Sequence, residues 1–533
     1  MNTLEELAKA LHPIRRDFTS IPVLCIPWLH LKHPIHPVQD MLLRGEETAR
    51  PQGGSKPAAP GARIAGKVER TSSWVLRTVL CIANAMRLTF KLARLRRTCG
   101  RDLSKLSGRT FTIVAKSWCF GPNPAPAAAN DFYYGDLQNR LAAQGVSMLL
   151  LCGDANDTDW QTFAAKCFST GSNFRIPELA LCPPLIPLKV ARTQIGVSLS
   201  LRRTSRTVAA PLPKRAMEIA SLDCLNPAVT QDSLHFEIAR MAVRRWKPQA
   251  FVTLYEGHGW EKAAWLGAKT ECQSCRTVGY QHTALFPEAL SMIEPYVDDP
   301  KRSVPDVVLA LGDQTAAILD AGHRQYGTQL VRFGTFRRQN AGMASAPADP
   351  SLRTVLVLPE GIAPEADVLF RFAYDCALAM PNYRFILRGH PQWPASRALS
   401  LIELPVQSLK NVEISQKASI QEDFDRASVL LYRGSSAALY GILSGLLAVN
   451  LQLPEMVNSD PIYQLTAWRK TCGTPAGLRE IVEQFERQSA DGRTSEWCSA
   501  ADYVNRYIVP VDDRSVTAFL DAAGIPRTDL CTA

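Results

Sequence analysis

The chain has 533 residues, which is too long for a single hydrophobic core, so we expect two or three domains. Apolar residues make up 46% of it and the mean hydropathy is −0.08, values typical of a soluble globular protein. No stretch reaches the roughly 18 to 20 uncharged apolar residues that a membrane-spanning helix needs. Glu5 and Glu6 stand where a signal peptide has basic residues, so we expect a cytoplasmic protein.

The net charge of +10 is concentrated at the N-terminal end. Residues 1–110 contain 19 Lys or Arg and 8 Asp or Glu, so the rest of the chain is nearly neutral. We therefore interpret residues 1–107 as a basic N-terminal extension. Within it, residues 44–72 are rich in Gly, Pro and charged side chains, a composition that predicts a flexible linker.

A basic amphipathic helix is predicted over Trp74–Arg97. Apolar residues recur at helical spacing at positions 75, 79, 82, 86, 90 and 93, and Arg77, Arg87, Lys91 and Arg94 fall on the other side. Three interpretations remain open: packing on the protein's own body, peripheral binding to an anionic membrane surface, and binding to another partner. We do not expect nucleic acid as a partner.

From Phe111 onward, strands and helices alternate as in an α/β protein. We predict an acceptor-side domain over 108–340, a nucleotide-sugar-binding domain over 350–475 and a C-terminal helical segment over 476–533. Two Rossmann-like domains that face a cleft form a GT-B-like arrangement. The predicted strands are 111–115, 146–152, 250–255, 276–280, 307–311, 354–358, 383–387, 412–414, 429–432 and 447–451, and the predicted helices include 131–143, 232–245, 420–427, 437–444 and 476–488.

Three loops of the second domain directly follow predicted strands. Ligands bind at the carboxyl ends of parallel strands. A guanidinium, an imidazole, two hydroxyls and the first N–H groups of a helix suit a phosphate, and Glu360 or Glu365 can accept hydrogen bonds from ribose hydroxyls. We predict a substrate-binding site made of Glu360, Gly361, Arg388, His390, Pro391, Arg433, Gly434, Ser435 and Ser436.

Ionisable residues also follow two strands of the first domain. Glu256 and His258 come after 250–255, and His282 comes after 276–280. Each suits the deprotonation of an acceptor hydroxyl, while His390 can stabilise or protonate a leaving phosphate. We predict that Glu256, His258, His282 and His390 are catalytic. The alternative is that Glu256 caps the next helix and that His282 is a satisfied strand-end histidine.

No metal is expected. The fourteen cysteines are scattered, as in a reducing compartment, and Cys272-x-x-Cys275 lacks two further ligands nearby. The His30, His33 and His36 group is interrupted by prolines. The motif Asp423-Phe424-Asp425 lies in a helical stretch ahead of a strand, so we interpret it as a solvated helix face.

A family resemblance covers roughly Thr110–Pro475. The chain is similar to bacterial surface-carbohydrate biosynthesis proteins of the polysialyltransferase and Kdo-transferase type of GT-B enzyme. The motifs that carry the resemblance are Lys116-Ser117-Trp118, Phe132-Tyr133-Tyr134-Gly135-Asp136-Leu137, Tyr255-Glu256, Trp260-Glu261-Lys262, Gly279-Tyr280-Gln281-His282, Pro359-Glu360-Gly361, Arg388-Gly389-His390-Pro391 and Arg433-Gly434-Ser435-Ser436.

The resemblance implies a function for these residues. His390, Ser435 and Ser436 would hold the phosphate of a CMP-sugar, and Glu256-Gly257 is the nearest counterpart of the acidic motif that supplies the base. The resemblance implies a metal-independent glycosyltransferase that moves a nonulosonic or Kdo-like acid onto a surface glycan. Its co-substrate would be a nucleotide sugar, with no other cofactor. If the helix over Trp74–Arg97 binds a membrane, we expect a lipid-linked acceptor. The alternatives are a sugar-nucleotide epimerase of the same fold and a non-catalytic glycan- or nucleotide-binding assembly protein.

Overall fold

The computed structural model describes residues 4–30, 38–39, 42, 68–119, 130–154, 163, 167, 173–287, 289–293, 304–340, 344, 346–361, 363–390, 393–402, 408–453 and 458–526. Two parallel β-sheets organise them, each covered by helices. This confirms the predicted α/β, GT-B-like fold with two Rossmann-like domains.

The first sheet has seven parallel strands in the order β3-β2-β1-β4-β5-β6-β7. Its strands are β1 Ile113–Cys119, β2 Met148–Asp154, β3 Phe174–Pro177, β4 Ala250–Tyr255, β5 Arg276–Gln281, β6 Val307–Ala310 and β7 Gln329–Arg332. The central strands are buried apolar runs because hydrophobic clusters cover both faces. The winding direction reverses between β1 and β4, which makes the carboxyl ends of these strands a topological switch point.

The second sheet has six parallel strands in the order β10-β9-β8-β11-β12-β13. Its strands are β8 Thr354–Leu358, β9 Arg384–Leu387, β10 Val412–Ile414, β11 Val429–Tyr432, β12 Leu447–Leu451 and β13 Arg469–Cys472. Counted from its own first strand, this order repeats that of the first sheet, and its switch point lies between β8 and β11.

Helices fill the crossovers and the two ends of the chain. They are α1 Leu4–Asp17, α2 Ile21–Leu24, α3 Val68–Lys105, α4 Leu137–Ala142, α5 Ile186–Ser205, α6 Pro211–Asp223, α7 Pro227–Trp246, α8 Gly259–Glu271, α9 Leu290–Ile293, α10 Asp313–His323, α11 Ala363–Ala379, α12 Ala395–Ile402, α13 Ile420–Phe424, α14 Ala437–Leu443, α15 Pro475–Arg487, α16 Ala490–Tyr507 and α17 Asp513–Ala522.

The described part of residues 1–107 packs on the first domain and is not a separate extension. Leu7 and Leu11 of α1 share a core cluster with Met217 of α6. Leu88 and Leu92 of α3 belong to the cluster that covers one face of the first sheet. Because α3 begins at residue 68, the last five residues of the predicted linker are helical, whereas residues 44–67 lie outside the described residues.

The C-terminal segment is divided between the two domains. Helices α15 and α16 contribute Val482 and Trp497 to the core around the second sheet. The chain then returns to the first domain, where Val509 N donates to Leu311 O at 2.9 Å, and α17 buries Phe519 in that domain's core. The chain therefore crosses between the two domains a second time after α16.

The predicted helix over 131–143 is shorter in the structure and begins at Leu137. The Asp131 carboxylate accepts hydrogen bonds from the backbone N–H groups of Tyr133 and Tyr134 and from the Ser117 hydroxyl. An Asp side chain that bonds to the backbone two and three residues ahead favours a turn over a helix.

Candidate functional site

A cavity of about 830 Å³ lies where the carboxyl ends of the two sheets meet. Both domains contribute to its wall. The candidate residues that line it are Glu256 from the first domain and Glu360, Gly361, Arg388, His390, Gly434, Ser435 and Ser436 from the second. The structure thus brings eight of the predicted site residues to one cavity, and Pro391 lies outside the described residues.

Glu256 is the centre of a carboxylate–imidazole group at the end of β4. Its Oε1 lies 2.8 Å from His282 Nε2 at the end of the adjacent strand β5, and its Oε2 lies 3.2 Å from His258 Nε2. The Tyr133 ring packs edge-on against the His282 imidazole, with the ring centroids 4.6 Å apart. Because an ionised carboxylate only accepts hydrogen bonds, the two Nε2 atoms act as the donors.

Burial lowers the pKa of His282 below its ordinary value, and the nearby Glu256 only partly opposes that shift. The imidazole is therefore neutral at neutral pH. A neutral donor fixes the position of Glu256 without cancelling its negative charge, which leaves the carboxylate suited to accept a proton.

The loop that carries Glu256 is held by another glutamate. Glu261, in the first turn of α8, accepts hydrogen bonds from the backbone N–H groups of Glu256, Gly257 and His258 at 2.9, 2.9 and 3.1 Å. Glu261 therefore caps the helix, and the alternative in which Glu256 has that role is wrong. Gly257 adopts a φ of +84°, a conformation that favours glycine, and a Cβ there would lie 2.1 Å from Ser291 Oγ.

The second domain presents His390, Ser435 and Ser436 to the cavity. Helix α14 starts directly after Ser436, whose side chain makes no capping hydrogen bond. A Cβ at Gly434 would lie 1.5 Å from Glu360 Oε1, so glycine at this position allows the loop to lie directly against that carboxylate. Burial, followed by the charge of Arg337, lowers the pKa of His390, so this imidazole is neutral at neutral pH.

The two arginines of the predicted phosphate site are engaged elsewhere. Arg388 lines the cavity, but its Nη1 lies 2.6 Å from Asp423 Oδ2 and also bonds to Ser419 O. Asp423 is fully buried between Arg388 and Arg426, so the interpretation of its motif as a solvated helix face is wrong for this residue. Arg433 is buried, and its charge acts on Glu365.

Glu360 and Glu365 form a carboxyl pair beside the loop of Gly434. Glu365 is buried on α11, and its Oε2 accepts a hydrogen bond from Glu360 N at 2.7 Å. Burial, followed by repulsion from Glu360, raises the pKa of Glu365 to about 8. The Glu365 carboxyl is therefore protonated at neutral pH, and the pair carries one negative charge beside the proposed phosphate site instead of two.

Sequence reasoning missed Arg337, which follows β7. Its guanidinium lies over the rings of Phe132 and Tyr133, 4.4 and 5.0 Å from their centroids. Its charge also lowers the pKa of both His282 and His390. No local motif marks this arginine, since its neighbours come from distant parts of the chain.

Two of the metal motifs considered in the sequence lie in the part of the chain that the structure describes. Among the residues that the structure describes, neither the Cys272–Cys275 pair nor the Asp423 motif belongs to a group of three potential ligands. His33 and His36 lie outside the described residues. None of the described helices is long and apolar enough to cross a membrane.

The fold and the cavity define a GT-B-like α/β protein with a cleft at the carboxyl ends of its two sheets. No protein-family profile matches the chain, and no curated protein sequence matches it.

Solved structures with a related arrangement include epimerases and glycosyltransferases. The UDP-GlcNAc 2-epimerase of Methanocaldococcus jannaschii, in complex with UDP-GlcNAc and UDP, is 10% identical, with 74% of this chain and 99% of that chain covered and a TM-score of 0.41. The glycotransferase of kitacinnamycin is 14% identical, with coverages of 78% and 100% and a TM-score of 0.43. The pneumococcal O-GlcNAc transferase GtfA, with UDP and GlcNAc, is 11% identical, with coverages of 54% and 59% and a TM-score of 0.36. These similarities are distant, and the site assignments above rest on the strand order and the contacts.

Proposed function

We propose that this protein is a glycosyltransferase that joins a sugar from a nucleotide donor to an acceptor hydroxyl. The supporting observation is that Glu256 and the His390, Ser435 and Ser436 group line one cavity from different domains. In the proposed reaction, the acceptor oxygen forms a bond to the anomeric carbon while the bond from that carbon to the phosphate oxygen breaks. The acceptor proton passes to Glu256, and the nucleotide leaves.

Glu256 is the proposed base because its surroundings hold it in place. His282, which is neutral at neutral pH, and His258 each donate to one of its oxygens. A base in this position contributes roughly 100- to 10,000-fold to a reaction rate. His282 and His258 are then positioning residues that act through Glu256.

His390, Ser435 and Ser436 are the proposed donors to the leaving phosphate. They are polar groups at the carboxyl ends of β9 and β11, beside a helix start without a side-chain cap. Hydrogen bonds from hydroxyl, imidazole and backbone N–H groups stabilise a bound phosphate without a metal, and the proposal includes no metal and no cofactor besides the nucleotide sugar.

We propose a CMP-linked nonulosonic or Kdo-like acid as the donor and a bacterial surface glycan as the acceptor. The motif resemblance supports this choice. The position of Arg337 also supports an acidic sugar as the donor, because a guanidinium near both His282 and His390 suits the carboxylate of such a sugar. Glu360, at the carboxyl end of β8, is the proposed acceptor for ribose hydroxyls.

Calorimetric titration tests the nucleotide site. CMP, UMP, GMP and their sugar conjugates are titrated without added metal into the wild type, His390→Ala and Ser435→Ala/Ser436→Ala. We expect selective CMP binding that weakens about tenfold in each variant, since hydrogen bonds to charged groups contribute roughly 1.5 to 3 kcal/mol. Ser400→Ala, on the exposed side of α12, is the control and should bind as the wild type does.

Other outcomes favour the alternatives. Binding of a uridine nucleotide, with interconversion of its sugar in the absence of an acceptor, indicates the epimerase. Nucleotide binding without turnover on any acceptor glycan indicates the assembly protein. CMP affinity that is unchanged in both variants would show that the phosphate site is misplaced.

We further propose that α3 holds the protein on an anionic membrane, where a lipid-linked acceptor would lie. Exposed apolar side chains form a continuous face on this helix. The residues of this face are Val75, Leu76, Val79, Leu80, Ile82, Met86 and Phe90. Phe90 is 71% exposed. Arg87, Arg94 and Arg97 of the same helix are also exposed and add positive charge beside it. Apolar side chains beside arginines match an acyl boundary below anionic headgroups, which supports the cytoplasmic, peripheral location.

Vesicle binding of the full chain tests this membrane face. Val79→Gln/Met86→Gln/Phe90→Gln should lose most binding to phosphatidylglycerol vesicles, and the wild type should bind phosphatidylcholine vesicles weakly. Leu352→Gln/Leu378→Gln is the matched control, because both leucines are exposed on the second domain. Equal binding by the triple variant and the wild type would contradict the proposal.

A further inference from the structure

Three cysteines that are far apart in sequence meet at the carboxyl end of the first sheet. Cys119 ends β1, Cys152 lies near the end of β2, and Cys167 comes from the connection between β2 and β3. Their three sulfur atoms all lie within 4.8 Å of one another. No other group of three potential metal ligands occurs among the residues that the structure describes.

We propose that these three sulfurs bind one thiophilic cation of the Zn²⁺ or Cu⁺ type. Thiolates are the ligands that select these closed-shell cations. Sulfurs about 2.3 Å from a shared ion lie about 4 Å from one another, so the observed group needs to contract by less than about 1 Å. A side-chain rotation of that size requires no change of the sheet.

The surroundings place positive charge near the three sulfurs. Arg175 and Lys116 lie close enough for their charges to act on the Cys119 sulfur. Three thiolates gathered at one place repel one another, and a bound cation compensates that negative charge with its own.

The three cysteines differ in their exposure to solvent. Cys152 and Cys167 are buried, whereas Cys119 is partly exposed, which gives a cation a route to the group. In the sheet register Ser117 is the partner of Cys152, and its hydroxyl donates to the buried Asp131. The ion would link Cys167 to the ends of β1 and β2.

Cation binding to the full chain tests this site. The protein is reduced and freed of metal with a chelator, and it is then titrated with Zn²⁺ or Cu⁺ in competition with a chromophoric chelator. We expect one equivalent to bind to the wild type, and at least a tenfold loss of affinity in Cys119→Ala and in Cys152→Ala. Cys376→Ala is the matched control, because Cys376 is a fully buried cysteine of the second domain.

Thermal unfolding gives a second readout that does not depend on activity. The bound cation should raise the melting temperature of the wild type and of Cys376→Ala but not that of Cys119→Ala. Cys119 is the more informative variant, since its partial exposure makes it tolerant of substitution. The proposal is overturned if the wild type binds less than one equivalent, if both cluster variants bind as the wild type does, or if oxidised protein shows a Cys119–Cys152 disulfide and reduced protein binds no cation.

Discussion

The two sheets share a strand order but differ in the loops at their switch points. In the first domain, the loop after β4 is closed by the carboxylate of Glu261, which accepts from three backbone N–H groups. In the second domain, the loop after β11 opens onto the cavity, and the Ser436 side chain at the start of the next helix makes no capping hydrogen bond. A closed loop holds a side chain in a fixed place, whereas an open loop leaves polar groups for a ligand. This difference supports the proposal that the first edge supplies the catalytic base and the second binds the nucleotide.

The largest expected effect separates these two roles. Glu256→Gln removes the proposed base and keeps the size of the side chain, so we expect turnover to fall roughly a thousandfold. CMP affinity should stay within about threefold of the wild type, since the nucleotide site lies on the other domain. Steady-state kinetics and calorimetry measure the two quantities, with the exposed Glu480→Gln as control. A parallel loss of affinity and turnover would show that the two edges do not have separate roles.

A smaller effect is expected when the closed loop is opened. Glu261→Ala leaves three backbone donors without their acceptor, and the free energy of unfolding should fall by about 3 kcal/mol. Urea unfolding measures the change. Glu271→Ala is the control on the same helix, because its carboxylate pairs with Arg244 at the surface. If Glu261→Ala unfolds at the same urea concentration as Glu271→Ala, the loop is not held as described.

The smallest effect concerns the pH dependence of the open loop. The pKa of Glu365 is raised from 4.5 to about 8, so its contribution to stability is fully present below about pH 4.5 and is lost as the pH rises to 8. Glu365→Gln lacks this titration, and its stability relative to the wild type should increase from pH 5.5 to pH 8.5. The CMP affinity of the wild type should weaken about threefold over the last pH unit of this range, because the ionised Glu365 adds a second negative charge near the phosphate.

Urea midpoints and CMP titrations at pH 5.5, 7 and 8.5 measure both parts of this prediction. Glu480→Gln again serves as the control and should follow the wild type. Parallel pH profiles for the wild type and Glu365→Gln would show that Glu365 is ionised at neutral pH.

Helix α3 shows what hydrophobic periodicity cannot predict. The sequence pattern identified one apolar face, at positions 75, 79, 82, 86 and 90, and the structure exposes those residues. The helix packs through a second stripe that includes Cys81, Leu88 and Leu92. Period 3.6 predicts that a helix has an apolar side, but a helix with two such sides needs its neighbours to decide which one is buried.

The sequence by itself determined ten of the thirteen described strands, the loops that follow them and eight of the residues that line the cavity, whereas β3, β7 and β13 were missed. Buried parallel strands are short apolar runs between helices, and ligands collect at their carboxyl ends, so local patterns were sufficient. Only the tertiary structure decided that Glu256 pairs with His282, that Arg388 is bound by Asp423, that Arg337 lies over the ring of Tyr133 and that three scattered cysteines meet. Each of these facts joins residues from separate elements, and their charges and distances exist only after the sheets have assembled.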